Sequence, residues 1–351
     1  MKTLLLHCRT GFENEVCAEI GDLAGQMNIA GYAKARPGTG FAEFICNGGD
    51  DLEHLMKKVR FSRLIFPRQW ARGEWLHLPE GDRIGILLEY LATIPACSSL
   101  WLEVLDTNEG KELSTFCRKF EAPLRRALTK SGYLLDGGAG PCLLMTFRSG
   151  REVFVGIAEK GNSALWPMGI PRLKFPRQAP SRSTLKLEEA WHHFIPRSEW
   201  DDRLTAGMTA VDLGASPGGW TWQLVNRYMR VIAVDNGPMN EKLMDSGLVE
   251  HQHVDGFVFR PRKPVDWMVC DIVEKPARNA ALLENWIGEG LCREAVVNLK
   301  LPMKQRYTEV KRLLERIESG LAGRGVQAGI ACKQLYHDRE EVTCHVRVFK
   351  S

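Results

Sequence analysis

The sequence predicts an α/β protein, with a doubly wound sheet in its C-terminal half and smaller α+β units before it. Three observations predict this. The apolar run Met208–Leu213 leads into Gly214-Ala215-Ser216-Pro217-Gly218-Gly219, and a helix-like run, Trp220–Arg227, follows. Strand, glycine-rich turn and helix start form the layout of a nucleotide-cofactor loop. Further apolar runs end in a polar residue: Met229–Val234 at Asp235, Val265–Cys270 at Asp271 and Glu294–Leu299 at Lys300. Ligands of open α/β sheets gather at such carboxyl strand ends. Finally, 351 residues suffice for two or more cores,.

Composition excludes several classes. No apolar run reaches the roughly 20 residues of a membrane span. The apolar segment of Met1-Lys2-Thr3-Leu4-Leu5-Leu6-His7 is too short for a signal peptide,. The 10 cysteines form no Cys-x-x-Cys pair. They read as reduced, buried thiols of a cytoplasmic protein rather than as metal ligands. The histidines show no ligand spacing, so no metal is expected. Net charge is only +4, and residues 1–170 carry as many acidic as basic side chains. Charge concentrates in a proline-broken stretch from Pro171 to Lys186, with Arg172, Lys174, Arg177, Arg182 and Lys186 and no acid. Such a stretch suits a phosphate backbone or a solvated interdomain tether.

Taken in order, Leu4–His7 reads as a strand, Glu13–Met27 as an amphipathic helix and Gly40–Cys46 as a strand,. Asp50–Arg60 reads as a helix with acidic residues at its start, and Phe61–Trp70 as another strand,. Asp82–Leu91 is helical by period, Leu100–Val104 strand-like, and Leu113–Thr129 a helix with Arg118, Lys119, Arg125, Arg126 and then Lys130. Its basic face could touch RNA or simply face water. Cys142–Phe147 and Val153–Ala158 pair around Ser149-Gly150-Arg151,. Ser181-Arg182-Ser183 precedes a helix with Glu188-Glu189 further on, the pattern of a capped start,. Beyond the loop, Val249–Val254 leads to Asp255, Leu282–Gly288 is a crossover helix, and Lys304–Leu321 a long amphipathic one. Val326–Gln334 and Glu341–Phe349 read as strands joined by Tyr336–Glu340.

The glycine spacing selects the cofactor. Two positions after Gly214 stands Ser216, so the dinucleotide fingerprint is broken,. Asp-x-Gly-x-x-Pro-Gly-Gly-Trp resembles the first motif of S-adenosylmethionine-dependent methyltransferases, in the form typical of FtsJ-like RNA ribose methyltransferases. Asp235, ending the next strand, fits an acceptor for ribose hydroxyls. The segment after Cys270, Asp271-Ile272-Val273-Glu274-Lys275-Pro276, lacks the Asn/Asp-Pro-Pro-Tyr of nitrogen methylation, and Cys270 reads as packing. Lys186, Asp271, Lys300 and Glu341 stand in the order Lys, Asp, Lys, Glu, which is similar to the catalytic tetrad of ribose 2′-O-methyltransferases. A ribose hydroxyl must lose its proton as it attacks, and a lysine can accept it only if neutral.

Asp-Leu-Gly-Ala-Ser-Pro-Gly-Gly-Trp-Thr-Trp, the segment Asn298–Lys304 and the segment Leu335–Thr343 together resemble bacterial 23S ribosomal RNA cytidine 2′-O-methyltransferases. The resemblance implies a ferredoxin-like domain at 1–72, a THUMP-type RNA-binding domain at 73–168, a basic linker at 169–186 and a Rossmann-like catalytic domain at 187–351. It implies cofactor contacts at Ser183, Ser216, Pro217, Gly218, Gly219, Asp235, Asp255 and Asp271, with Lys300 as proton acceptor. Ser216 replaces a cysteine common in relatives. Glu340 and Glu341 both offer the tetrad carboxylate, and the place before Val342 favours Glu341. The implied partner is 23S ribosomal RNA or a large-subunit precursor, with no membrane and a monomer favoured. A non-catalytic RNA-binding or ribosome-assembly factor of the same fold is the rival reading.

Overall fold

Runs of β-branched and apolar residues become strands of two sheets. The computed structural model describes residues 2–135, 137–138 and 140–349. It divides into two units, Met1–Ile170 and Pro171–Ser351.

The first unit contains β1 (Thr3–His7), α1 (Glu13–Gln26), β2 (Gly31–Ala35), β3 (Phe41–Cys46), α2 (Gly49–Lys58), β4 (Gln69–His77), α3 (Arg83–Leu91), β5 (Ser99–Val104), α4 (Asn108–Lys130), β6 (Cys142–Ser149) and β7 (Glu152–Ala158). Its sheet runs β2-β3-β1-β4-β7-β6-β5, antiparallel except for β5 beside β6. The strand expected over Phe61–Trp70 is displaced: Phe61–Arg63 is a 3₁₀ turn, and the strand starts at Gln69. The cause is local. The amides of Ile65 and Phe66 donate to the buried Glu19 carboxylate at 2.6 and 2.9 Å, so they cannot join a ladder, and Pro67 has no N–H to offer,. The exposed edge strand β2 lacks a strong apolar pattern, which is why periodicity does not reveal it,. Helix α4 starts earlier than expected because the Thr107 hydroxyl accepts the Gly110 amide at 3.0 Å,. It buries Cys117, Leu124 and Leu128 and leaves Arg118, Lys119, Arg126 and Lys130 in water.

The second unit contains α5 (Thr184–Phe194), α6 (Trp200–Arg203), β8 (Thr209–Leu213), α7 (Gly219–Val225), β9 (Arg230–Val234), α8 (Glu241–Met244), β10 (Val249–Gln252), β11 (Val265–Cys270), α9 (Pro276–Gly288), β12 (Cys292–Lys300), α10 (Arg306–Gly323), β13 (Ala328–Lys333) and β14 (Glu341–Val348). Helix α9 is longer than the Leu282–Gly288 read from period, because Pro276 opens it at a position where no N–H is needed,. Strand order is β10-β9-β8-β11-β12-β14-β13. β10 to β12 are parallel, and β14 runs antiparallel to both its neighbours. The order reverses between β8 and β11, which opens a crevice at their carboxyl ends. Among the described residues no helix is long and apolar enough to cross a membrane.

The sheet's centre is held by large side chains. Trp267 on β11 is buried, stands edge-on to Trp191 of α5 at 6.5 Å, and donates its indole N–H to the Arg203 carbonyl at 2.8 Å. Trp267→Ala is expected to lower unfolding free energy by about 3–5 kcal/mol. Denaturant unfolding measures this, and a cost below about 1 kcal/mol would contradict the packing described.

Candidate active site

The glycine loop leaves β8 and enters α7. Gly214 has φ +77°, and a Cβ there would meet Ile272 Cγ1 at 2.6 Å. Gly218 has φ +113°, and a Cβ at Gly219 would crowd the hydroxyls of Ser183 and Ser181,. The Ser216–Pro217 peptide is cis. Ser183 does not cap α5 with its side chain, contrary to the sequence pattern. Its hydroxyl lies 2.6 Å from that of Ser181, and its carbonyl accepts the Trp220 indole N–H at 3.0 Å. Glu189, expected in that cap pattern, is instead buried. It accepts the backbone amides of Tyr336 and His337 at 2.8 and 2.9 Å. That contact docks the β13–β14 connection onto α5.

The strand-end carboxylates take different roles. Asp235 accepts the Ser216 amide at 3.1 Å and the Gly237 amide at 2.7 Å, which ties the loop to the end of β9. Its remaining lone pairs stay available. Exposed Asp255 accepts the Phe257 amide at 2.9 Å. Asp212 is fully enclosed and accepts the Thr221 hydroxyl at 2.6 Å, so it braces the loop from behind rather than facing the crevice. Burial above all, with Asp271 and Asp235 nearby, pushes its pKa up to about 7 against the Thr221 bond.

Lys186, Asp271, Lys300 and Glu341 come together. Lys186 Nζ lies 3.1 Å from Asp271 Oδ2 and pairs with Glu341 Oε1. Lys300 Nζ pairs with Glu341 Oε2 and lies 3.7 Å from Asp271 Oδ1. Each carboxylate therefore faces both ammonium groups. Glu340 stands elsewhere: it is exposed and 2.8 Å from Arg306. Burial works against the charge of Lys186, but the Asp271 and Glu341 carboxylates outweigh it and raise its pKa. Burial likewise opposes ionisation of Glu341, and the two lysines overcome it and hold its carboxyl low.

Sequence reading missed the residues behind this cluster. Asn298 donates its side-chain amide to Asp271 Oδ1 at 2.8 Å. Its carbonyl oxygen lies 2.8 Å from the Thr343 hydroxyl, which stands 3.0 Å from Asp338 Oδ2. Asp338 is fully buried; burial first, then Glu341, raises its pKa well above the carboxylate range. A protonated Asp338 can donate to Thr343, and the chain of bonds then orients Asn298 and Asp271. A polar Asn298 inside the apolar run Glu294–Leu299 is the one signal that could have pointed to it,.

The basic stretch before α5 is partly ordered by aromatic rings, with Arg172 over Tyr336 at 5.9 Å and Arg182 over Phe175 at 5.8 Å,.

Family comparison agrees along the whole chain. Residues 1–71 match the RlmM ferredoxin-like domain. Residues 82–159 match the N-terminal model of ribosomal RNA large subunit methyltransferase M, and 179–298 the FtsJ-like methyltransferase model. The chain is similar to the protein of that name from Stutzerimonas stutzeri, with 77% identity over 99% of both chains. The chain belongs to the ribosomal RNA large subunit methyltransferase M family. The family's protein from Azotobacter vinelandii is 72% identical over 99% of this chain and 98% of its own, and that from Ectopseudomonas mendocina 72% over 99% of both. The crevice beside β8 and the charged cluster beyond it lie within one unit, Pro171–Ser351.

The Asp212 carboxyl titrates near 7 when folded and near 4 when unfolded,. Its folded-state pKa is raised, so its stabilising contribution is full below about pH 4 and is lost as pH rises towards 7. Asp212→Asn cannot ionise. The stability of wild type relative to this variant is expected to fall between about pH 4 and pH 8. Parallel stability–pH curves from chemical unfolding would contradict it.

Proposed function

We propose that this methyltransferase uses S-adenosylmethionine to methylate the 2′-hydroxyl of a cytidine ribose in 23S ribosomal RNA. The observation that carries the reading is the cluster of Lys186, Asp271, Lys300 and Glu341 at the carboxyl edge of the sheet. Ser183, Ser216, Pro217, Gly218, Gly219, Asp235, Asp255 and Asp271 would hold the cofactor. Their chemistry fits it. The loop carries no cation to meet a pyrophosphate, and carboxylates around it suit a cationic sulfonium, an ammonium and ribose hydroxyls,. The bound cofactor supplies an electrophilic methyl group.

The chain's residues do the rest. Lys186, kept protonated by Asp271 and Glu341, places a fixed positive charge beside the acceptor hydroxyl and favours the developing oxyanion,. Lys300 Nζ takes the hydroxyl proton and must be neutral when it does so. The hydroxyl oxygen would take up the methyl group that the bound cofactor would supply, and its proton would end on Lys300. Asp271 and Glu341 fix both amines against the hydroxyl, which is the positioning such a displacement needs.

This reading extends to the chain's organisation. A ferredoxin-like domain at 1–72, a THUMP-type domain at 73–168 and the linker at 169–186 would bring ribosomal RNA, or a large-subunit precursor in the cytoplasm, to a catalytic domain at 187–351. The exposed basic face of α4 supports an RNA contact. A purely RNA-binding assembly factor would have no use for two lysines held against the buried Glu341 and partly buried Asp271 carboxylates.

Lys300→Ala is expected to bind S-adenosylmethionine as wild type does in calorimetry and to lose about 10²–10⁴-fold in single-turnover transfer to unmodified 23S RNA. Turnover within a few-fold of wild type would remove Lys300 as the proton acceptor.

A further inference from the structure

At the opposite end of the second sheet lies a groove of about 760 Å³. Thr209, Arg230, Val249 and Val265, which line it, are the first residues of β8, β9, β10 and β11. The groove therefore opens at the amino ends of the strands, whereas the candidate active site lies at their carboxyl ends. The loop from Phe259 to Pro264 forms one wall and brings Arg260, Arg262 and Lys263 to the groove. Arg230 adds a fourth cation, and Glu250 is the one acidic residue among the lining.

These charges are not used up within the fold. Arg260 is engaged, donating to the Phe259 carbonyl at 2.8 Å and standing 3.7 Å from Glu289. Arg230, Arg262 and Lys263 are exposed and have no carboxylate at ion-pair distance among the described residues. Holding like charges around one concave surface is unfavourable unless an anion sits between them. An aromatic ring, Phe259, lines the same groove. Cations along a groove with an aromatic surface are what a single nucleic-acid strand requires: charge for its phosphates and a face for a base.

We propose that this groove binds a single-stranded stretch of the RNA substrate, remote from the nucleotide that receives the methyl group. The inference rests on the ribosomal RNA reading above. Strand β11 has six residues, so groove and active site lie about 20 Å apart at ~3.3 Å per residue. A stacked strand covers that span with about six nucleotides at ~3.4 Å each. The groove would thus contribute affinity and orientation without contacting the reacting ribose.

The test is Arg230→Ala/Arg262→Ala/Lys263→Ala in the full chain, with unmodified 23S RNA in filter binding across a salt series. Each phosphate contact adds about 0.7 to the slope of log Kd against log salt for a single strand. The triple variant is expected to bind RNA at least about tenfold more weakly at low salt and to lose about 2 from that slope. Its kcat at saturating RNA, S-adenosylmethionine affinity and thermal midpoint should match wild type. Arg230→Lys/Arg262→Lys, which keeps the charges, should restore most of the affinity. Unchanged RNA affinity and slope in the triple variant, with wild type active on RNA, would overturn the groove and leave its cations to an acidic protein partner. Wild type that neither binds nor methylates 23S RNA would overturn the functional reading and this inference together.

Discussion

The pairing of β12 with β14 is the constraint on which the candidate site depends. Lys300 and Glu341 are register partners across these antiparallel strands, as are Asn298 and Thr343 two residues further in. Side chains alternate between faces at every step. The same register that seals the sheet beside β12 therefore sets a lysine against a glutamate at the rim and an asparagine against a threonine behind it. A one-residue slip of β14 would turn Glu341 and Thr343 to the other face, away from Lys300 and Asn298,. The site is thus tied to the sheet's hydrogen-bond ladder rather than to a mobile loop.

Half-buried charges are costly unless paired on every side. Here each carboxylate meets two ammonium groups, and Asp271 also receives the Asn298 amide. The pairing explains why Lys186 keeps its proton and Glu341 stays ionised despite burial. It also separates the two lysines in kind. Lys186, on α5, meets the carboxylates of Asp271 and Glu341, which suits the fixed charge proposed for it. Lys300 ends a strand at the rim, where an incoming hydroxyl could reach it. The buried supports, Asp338 with Thr343 and Glu189 with the turn at Tyr336, lie behind the cluster and hold α5, β12 and β14 in mutual alignment.

How far the sequence alone reaches follows from this physics. Features set by local backbone shape were legible: the glycine loop after β8, the acids at the ends of β9 and β11, and the lysine that ends β12. The place before Val342 favours Glu341 over Glu340, and the strand register sets Glu341 opposite Lys300 while exposed Glu340 meets Arg306. Asn298, Thr343 and Glu189 were missed because each acts through a partner far away in sequence, and Asp338, bonded to nearby Leu335 and Thr343, because its complete burial leaves no local pattern. The same limit applied to the fold. The strand read over Phe61–Trp70 failed because Glu19, more than forty residues earlier, takes the amides that a ladder would need. Edge strand β2 escaped because it faces water and carries little apolar signal.

The lysine and carboxylate cluster is proposed to direct a methyl group to a ribose oxygen. The most direct measurement is nucleoside mass spectrometry of unmodified 23S RNA after incubation with the protein and isotope-labelled S-adenosylmethionine. Labelled 2′-O-methylcytidine at one position of the RNA is the expected product. Label on a base, or none with folded protein and intact RNA, would contradict it.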